Sequence, residues 1–446
     1  MEGSIRTFYP PAQLAQSSVT PRLQDMLYVY ALAFWHNEQL AKLLHFSFGV
    51  FAAMAVYALG RRLSNTTVGL LAAAIFVSFP IFGWLSQTAY IDLSATFYGA
   101  LVALAFFTDI ELFAATRFVV LGLFLSTKIW ALIILPIIFG YEFIATRSFD
   151  KAVAPIAGAL FVASPWFFEA LITTGNPVFP IFSFNQPELL GGYATAGQWL
   201  IRGWPQQFWP NMQKMFVHNF TLLTLIPGLV ISKLRDRSIL VLLILSVVMY
   251  LAFSVISNPD PRFFLPFIAI PSVLLAKLFF DHGVAVKTMS AMAMGGILIA
   301  TFIPQYLRTE RVFPVVFGGI TREQYLRDTL GDDIHTFYDV NHEVSSRLLP
   351  NSKVVAMVHN QFYITFSHHD GFDLKPQLQR TRSPQELLTR LKQLGFTHIL
   401  VKTREYKLKD LFTLGDFSQL TQLEYEKLVP IVWSSDVTNT ALYKIP

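Results

Sequence analysis

The sequence of 446 residues contains no cysteine. That absence removes disulfides, thiolate nucleophiles and cysteine-based metal sites together. Charge is also scarce: Asp, Glu, Lys and Arg make up 14% of the chain, where a soluble domain carries roughly 25%. Most of the chain must therefore avoid water by lying in lipid. The opening, MEGSIRTFYPPAQLAQSSVTPRLQD, has neither a basic n-region nor a short apolar h-region, so it is no signal peptide. The formal charge of +5 calls for no nucleic acid partner, because the basic residues fall mostly in short loops between apolar runs.

What is present is apolar. Hydrophobic residues reach 53%, with 42 Phe, and long apolar stretches fill positions 38–304, while 305–446 reads as an ordinary soluble sequence. The expected fold class is a polytopic α-helical membrane protein with a C-terminal extracytoplasmic α/β domain. A helix needs about 20 apolar residues to cross a bilayer. Candidate spans run near 38–60, 65–85, 93–108, 152–172, 217–232, 238–257, 263–280 and 285–304. The stretch between 117 and 145 is too long for one span and short for two, with Lys128 at its middle. We read it as a hairpin of two short helices whose tip lies below the membrane surface, the alternative being a single tilted helix.

Orientation follows from Lys and Arg in the short loops. One set carries Arg61-Arg62, Arg117, Arg147 with Lys151, then Lys233, Arg235 and Arg237, and finally Lys277 with Lys287. The opposite set is poorer: QTAYID at 87–92 has no basic residue, and the 173–216 loop has only Arg202 and Lys214. The basic set is cytoplasmic. Counting the hairpin as two crossings gives about ten transmembrane segments, with both chain ends outside. An outside tail without an export signal implies a further helix upstream of Met1, with residues 1–37 the remainder of a first extracytoplasmic loop.

The 173–216 loop is rich in Trp, Phe, Pro and Gly, a composition suited to the headgroup layer. It is expected to lie as an amphipathic extracytoplasmic segment. In the soluble part, KVVAMVH (353–359) and THILVK (397–402) read as buried strands. Between them, Ser383-Pro384-Gln385-Glu386 is a capping box and Gly395 a helix C-cap glycine. The end, LVPIVWSSDVTNTALYKIP, reads as two strands around a turn at 434–439. No glycine-rich phosphate loop, metal spacing or nucleophile elbow appears in this domain, and His368-His369-Asp370 reads as solvated loop rather than a metal site.

Ionisable groups near a membrane are functional suspects by default. Asp92 sits in a very short outer loop, where it serves either as a base or acceptor-binding group or as the N-cap of the span at Leu93. Lys128, at the hairpin tip, is a point charge for a lipid phosphate or a lysine that snorkels to the interface. Arg262, in NPDPRFFLPF, grips phosphate oxygens through its planar fork or pairs with Asp260 or Glu169.

The order and wording of five stretches resemble bacterial integral-membrane GT-C glycosyltransferases, the group of protein O-mannosyltransferases and lipid A aminoarabinose transferases. They are LLAAAIFVSFPIFGWLSQTAYIDLSATFYGALVALAFF, LGLFLSTKIWALIILP, SPWFFEALITTGNPVFP, NPDPRFFLPFIAIPSVLLA and the tail ITREQYLRDTL…GFTHILVKT…NTALYKI. Together they cover nearly the whole chain. The resemblance implies transfer of a hexose or pentose from a polyprenyl-phosphate carrier to a glycan, lipid or protein acceptor on the outer face. The anomeric centre is inverted and no metal or other cofactor is needed. It makes Lys128 and Arg262 candidates for the donor phosphate and places Asp92 at the family's second acidic position, as a catalytic candidate. The family's principal acidic residue follows its first transmembrane helix. Asp25 falls too late to match it and Glu2 fits no better, so the resemblance too implies a helix and a base upstream of Met1.

The reading is a membrane glycosyltransferase of a bacterial inner membrane, truncated at its start. The alternatives are a catalytically dead homologue that binds polyprenyl-linked sugar, and a lipid-linked saccharide transporter or flippase.

Overall fold

The computed structural model describes residues 20–179 and 265–446 with short interruptions, and between these two stretches only isolated positions, Arg262 among them. The chain divides into two compact units, Val19–Leu307 and Arg308–Pro446. The candidate spans at 217–232 and 238–257, and most of the 173–216 loop, lie outside the described residues.

The first unit is helical. Helix α1 (Leu23–Trp35) has 13 residues, too few to cross a bilayer, and carries Tyr30, Phe34 and Trp35 exposed along its length. It is followed by α2 (Glu38–Leu63), α3 (Thr66–Val77), α4 (Pro80–Leu85) and α5 (Asp92–Phe107). The expected single span at 65–85 is thus two helices. Proline lacks an N–H and favours the first turn of a helix, and it pushes the preceding residue to extended backbone. Phe79 is extended accordingly (φ −67°, ψ 135°), so α4 restarts at Pro80.

Helix α3 is tied closely to α2. Asn65 caps it, accepting the N–H of Val68 at 3.0 Å. Gly60 and Gly69 then let the two backbones approach: a Cβ on Gly69 would stand 2.5 Å from the Tyr57 carbonyl oxygen. Small residues serve this purpose in membranes, where close van der Waals packing replaces the hydrophobic drive. Lys277 donates to the Leu63 carbonyl at 3.2 Å, closing the C-terminal end of α2.

The stretch 117–145 forms α6 (Arg117–Leu125), a 3₁₀ turn (Ile129–Ile133) and α7 (Ile134–Thr146). Arg117 at the start of α6 reaches Glu142 near the end of α7 at 3.1 Å, so the two arms run side by side in opposite directions. Helix α8 (Phe149–Thr174) packs against α6 where Gly122 faces Ala159 and Val162. Among the described residues, helices α9 (Leu265–Asp281) and α10 (Val284–Val316) follow, with α9 against α3 and α5. The core comprises fully buried Leu59, Phe76, Leu85, Leu93 and Phe124. Among the described residues three helices are long and apolar enough to cross a membrane: Gln39–Leu63, Ile129–Thr146 and Phe149–Thr174. Shorter apolar helices lie at Thr66–Val77, Asp92–Phe107 and Ile268–Phe280. The chain is a membrane protein built on apolar helices.

The second unit contains a five-stranded sheet in the order β2-β1-β3-β5-β4. The strands are β1 (Val354–Met357), β2 (His368–Asp370), β3 (His398–Lys402), β4 (Ile431–Ser435) and β5 (Thr440–Lys444). Strands β2, β1 and β3 are parallel, and β5 runs antiparallel to both β3 and β4. Alternate residues face two apolar layers: Val355, Met357, Ile399 and Val401 one, Val354, Ala356 and Leu400 the other. Burial on both faces is why these strands read as continuous β-branched runs. His368-His369-Asp370, expected as loop, is instead the edge strand, paired in parallel with β1. Ser383 caps the helix Pro384–Gln393, and Gly395 adopts φ +83°, as a C-cap glycine does.

Candidate active site

The site is built around the start of α5. Its first residue is Asp92, and Ile91 stands at the cap position without a side-chain bond to the helix amides. The capping role weighed for Asp92 falls instead to a residue from another helix. His45, in the middle of α2 and fully buried, accepts the N–H of Leu93 on Nε2 at 3.1 Å. Its Nδ1 lies 2.8 Å from the Thr88 carbonyl and 3.1 Å from that of Leu85. With Nε2 accepting an amide, the ring proton belongs on Nδ1, where it is donated to these carbonyls. The imidazole thus staples the 85–93 connector to α2 and leaves the Asp92 carboxylate free for other work.

That carboxylate pairs with Lys128. Asp92 Oδ1 receives the ammonium of Lys128, and the two side chains are 1% and 11% exposed. The break that carries Lys128 is made locally. Ser126 ends α6, its amide and hydroxyl both donating to the Gly122 carbonyl, at 2.9 and 2.8 Å. The Thr127 hydroxyl donates to the Phe124 carbonyl at 2.6 Å. Lys128 is then fully extended (φ −153°, ψ 140°), which releases its side chain from the helix. Its ammonium also lies 5.7 Å from the centre of the Trp130 ring.

Helix α1 docks on the same break: the Leu23 N–H donates to the Ser126 carbonyl at 2.9 Å. This brings in residues that motif spacing did not single out. Arg22 forms an ion pair with Glu169 of α8. Asp25 is exposed in the first turn of α1. The protein around it withdraws enough water to push its carboxyl up, against the opposing pull of Arg22 and then Lys128. Tyr28 donates its hydroxyl to the Tyr90 carbonyl. Burial raises its phenol well above the ordinary value, the Gln24 side chain counters this, and the charges of Asp25 and Asp92 raise it further.

Arg262 lies with its guanidinium 4.6 Å from the centre of the Tyr90 ring, a cation–π stack. Glu169, one of its expected alternative partners, pairs with Arg22, and Asp260 lies outside the described residues. Asp92 and Lys128 are therefore joined directly, and Arg262 reaches the same connector through Tyr90. The signal that leads to Asp25 and Tyr28 is their spacing of three in a largely apolar helix, with Arg22 just before its first residue. Among the described residues no group of three or more His, Asp or Glu is placed to hold a metal ion.

Fold and site define a helical membrane protein with a charged cluster gathered where α1, the α4–α5 connector and the α6–α7 break meet. The chain is similar in structure to ArnT from Cupriavidus metallidurans in the apo state, with a TM-score of 0.58 at 13% identity, over 99% of this chain and 95% of that one. ArnT bound to undecaprenyl phosphate gives 0.56 at 12% identity with the same coverage. The archaeal oligosaccharyltransferase AglB from Archaeoglobus fulgidus, in complex with an inhibitory peptide and a dolichol-phosphate, gives 0.51 at 13% identity, over 96% of this chain and 67% of that one. No protein-family model and no curated protein sequence matches. At such identities the likeness is one of fold alone.

Proposed function

We propose that the protein is a membrane glycosyltransferase. It moves a sugar from a polyprenyl-phosphate carrier to an acceptor on the extracytoplasmic face of a bacterial inner membrane, with inversion at the anomeric carbon. The observation that carries this reading is the buried Asp92–Lys128 pair at a non-helical break within a GT-C fold. The ArnT and AglB structures of that fold hold undecaprenyl phosphate and a dolichol-phosphate.

In such a transfer the carrier phosphate is the leaving group, and its growing charge has to be balanced by cations fixed in advance. Lys128 and Arg262 supply them. Asp92 holds the ammonium of Lys128 in place until phosphate competes for it, and stands as the second acidic residue of the site. Arg262, stacked on Tyr90, offers a planar fork to phosphate oxygens.

The test uses the full chain in lipid nanodiscs. Binding of undecaprenyl phosphate is measured together with release of labelled hexose from undecaprenyl-phosphate hexoses. Saturable binding, weakened at least tenfold by Arg262→Ala, and transfer to an envelope-glycan or lipid fraction are expected. Absence of carrier binding would sink the proposal. Binding without transfer leaves a carrier-binding protein, and movement of the lipid across vesicles makes it a transporter.

A further inference from the structure

A seam between α3 and α10 holds a cavity of about 80 Å³, lined by Leu71, Ala74, Ile75 and Ser78 on one side and by Met294 and Leu298 on the other. The lining is apolar. Its one hydroxyl, on Ser78, already donates to the Ala74 carbonyl at 2.7 Å. Leu298 is 56% exposed, so the seam opens outward instead of being sealed in the core. Gly295 precedes Leu298 by three residues and lies on its side of α10. A Cβ at Gly295 would meet nothing within 4 Å.

Cations gather at one end of this seam. Lys277 of α9 donates to the Leu63 carbonyl at 3.2 Å, which sets the end of α9 beside the turn between α2 and α3. Helix α3 starts there at Thr66, and α10 starts at Val284, just after α9 ends at Asp281. Arg61, Arg62 and Lys287 are exposed at this end. Lys287, Met294 and Leu298 are spaced by seven and then four, which aligns them along one side of α10. Lys287 thus lies about 10 Å along the axis from the nearer lining residue of its helix. The end belongs to the other leaflet from the Asp92–Lys128 cluster. His45, which bonds the start of α5, is separated from Arg61 by about 24 Å of helix α2.

We propose that the seam binds an anionic glycerophospholipid of that leaflet, its phosphate on Lys287 and one acyl chain in the cavity. An apolar cavity offers water no partners and stays dry. Left empty, its lining forfeits dispersion contacts that a hydrocarbon chain restores. The bilayer around the apolar helices supplies such chains. The headgroup choice follows from charge: Lys287, Arg61 and Arg62 together favour an anionic lipid over a zwitterionic one. The bound lipid fills the seam between α3 and α10 and stabilises the helical unit by mass action. A polyprenyl carrier held by Lys128 and Arg262 has its phosphate at the other leaflet, so the two lipids do not compete.

The experiment titrates the full-length protein in detergent with dioleoylphosphatidylglycerol and, in parallel, with dioleoylphosphatidylcholine. Retained lipid is read by native mass spectrometry and stability by the thermal unfolding midpoint. Saturable binding of the phosphatidylglycerol with a raised midpoint is expected, and severalfold weaker binding of the phosphatidylcholine. Lys287→Gln, a change at an exposed position, should weaken phosphatidylglycerol binding about fivefold and leave phosphatidylcholine binding as it was. Gly295→Leu, which occupies the seam, should weaken both. Equal binding of the two lipids, or wild-type phosphatidylglycerol binding in Lys287→Gln, overturns the proposal. So does a folded Gly295→Leu that binds both lipids as the wild type does; if that variant does not fold, Lys287→Gln decides alone. Displacement of phosphatidylglycerol by undecaprenyl phosphate in the Arg262→Ala variant would give the seam to the carrier's chain, and also overturns it.

Discussion

His45 accepts the backbone N–H of Leu93, one residue beyond Asp92, at 3.1 Å, although 48 positions separate the two in the chain. A helix leaves its first amides without partners, and a buried amide left so is costly. His45→Ala is expected to lower stability by about 1–3 kcal/mol, read as a drop in the thermal unfolding midpoint in detergent. His45→Phe separates bonding from volume, since it fills the space and makes neither bond. Wild-type stability in that variant would assign the imidazole to packing alone.

The Asp92–Lys128 pair is expected to behave as a unit. Lys128→Met leaves a carboxylate buried without its cation, a change that costs about 3–5 kcal/mol where the partner stays charged. Adding Asp92→Asn should recover part of that loss. Additive effects of the two substitutions in a double-mutant cycle would show that the groups do not stabilise each other.

Gly69 is a third test, independent of the chemistry. With a Cβ there 2.5 Å from the Tyr57 carbonyl oxygen and 2.9 Å from the Arg61 nitrogen, Gly69→Leu must force α2 and α3 apart. Overpacking of this kind costs about 1–3 kcal/mol or more. Reduced yield of folded protein and a lower unfolding midpoint are expected, whereas Gly140→Ala, which meets nothing within 4 Å, serves as the neutral control.

His398 in β3 gives the second unit a pH dependence. Burial holds its imidazole below the ordinary value of 6.5, and the nearby Lys444 charge lowers it further. The neutral ring is therefore the form the fold prefers. Its contribution is present above the unfolded value and is lost as pH falls through the depressed folded one. Protection of the β3 amides, taken relative to the intrinsic exchange rate at each pH, should fall on acidification below about pH 6.5. His398→Gln should flatten that dependence, and an unchanged profile would place its origin elsewhere.

Much of the fold was legible because apolar length and helix punctuation are local. The spans at 38–60, 93–108 and 152–172, the capping box at Ser383 and the glycine at 395 all reappear as helices and ends. The apolar run across Phe79-Pro80 hid a helix break, since hydropathy averages over a proline that backbone geometry cannot ignore. Asp92, Lys128 and Arg262 stood out because charge is rare in such a chain. Their relations did not. Asp92 meets Lys128 across 36 residues, and His45 takes the cap that Asp92 was read to offer. Both contacts come from how α2, α5 and the α6–α7 break pack, which no local pattern encodes. Asp25 was set aside because it falls too late for the family's acidic position, and Arg22, just before α1, drew no notice because its partner Glu169 is remote in sequence.

The strand order of the second unit sets when that unit can exist. Strand β5 follows β4 in the chain yet lies inside the sheet, and among the described residues β4 has no neighbour except β5. While the chain is being synthesised, β1, β2 and β3 can pair as soon as they emerge, but the edge of β3 stays open until residues 440–444 have cleared the exit tunnel. Until then a row of unpaired amides and carbonyls faces outward, beside strands already apolar on both faces. Such an edge is a template for strands of other chains. Completion of this unit therefore waits on its central strand β5, and a chain that lacks residues 440–444 is exposed at its most adhesive surface.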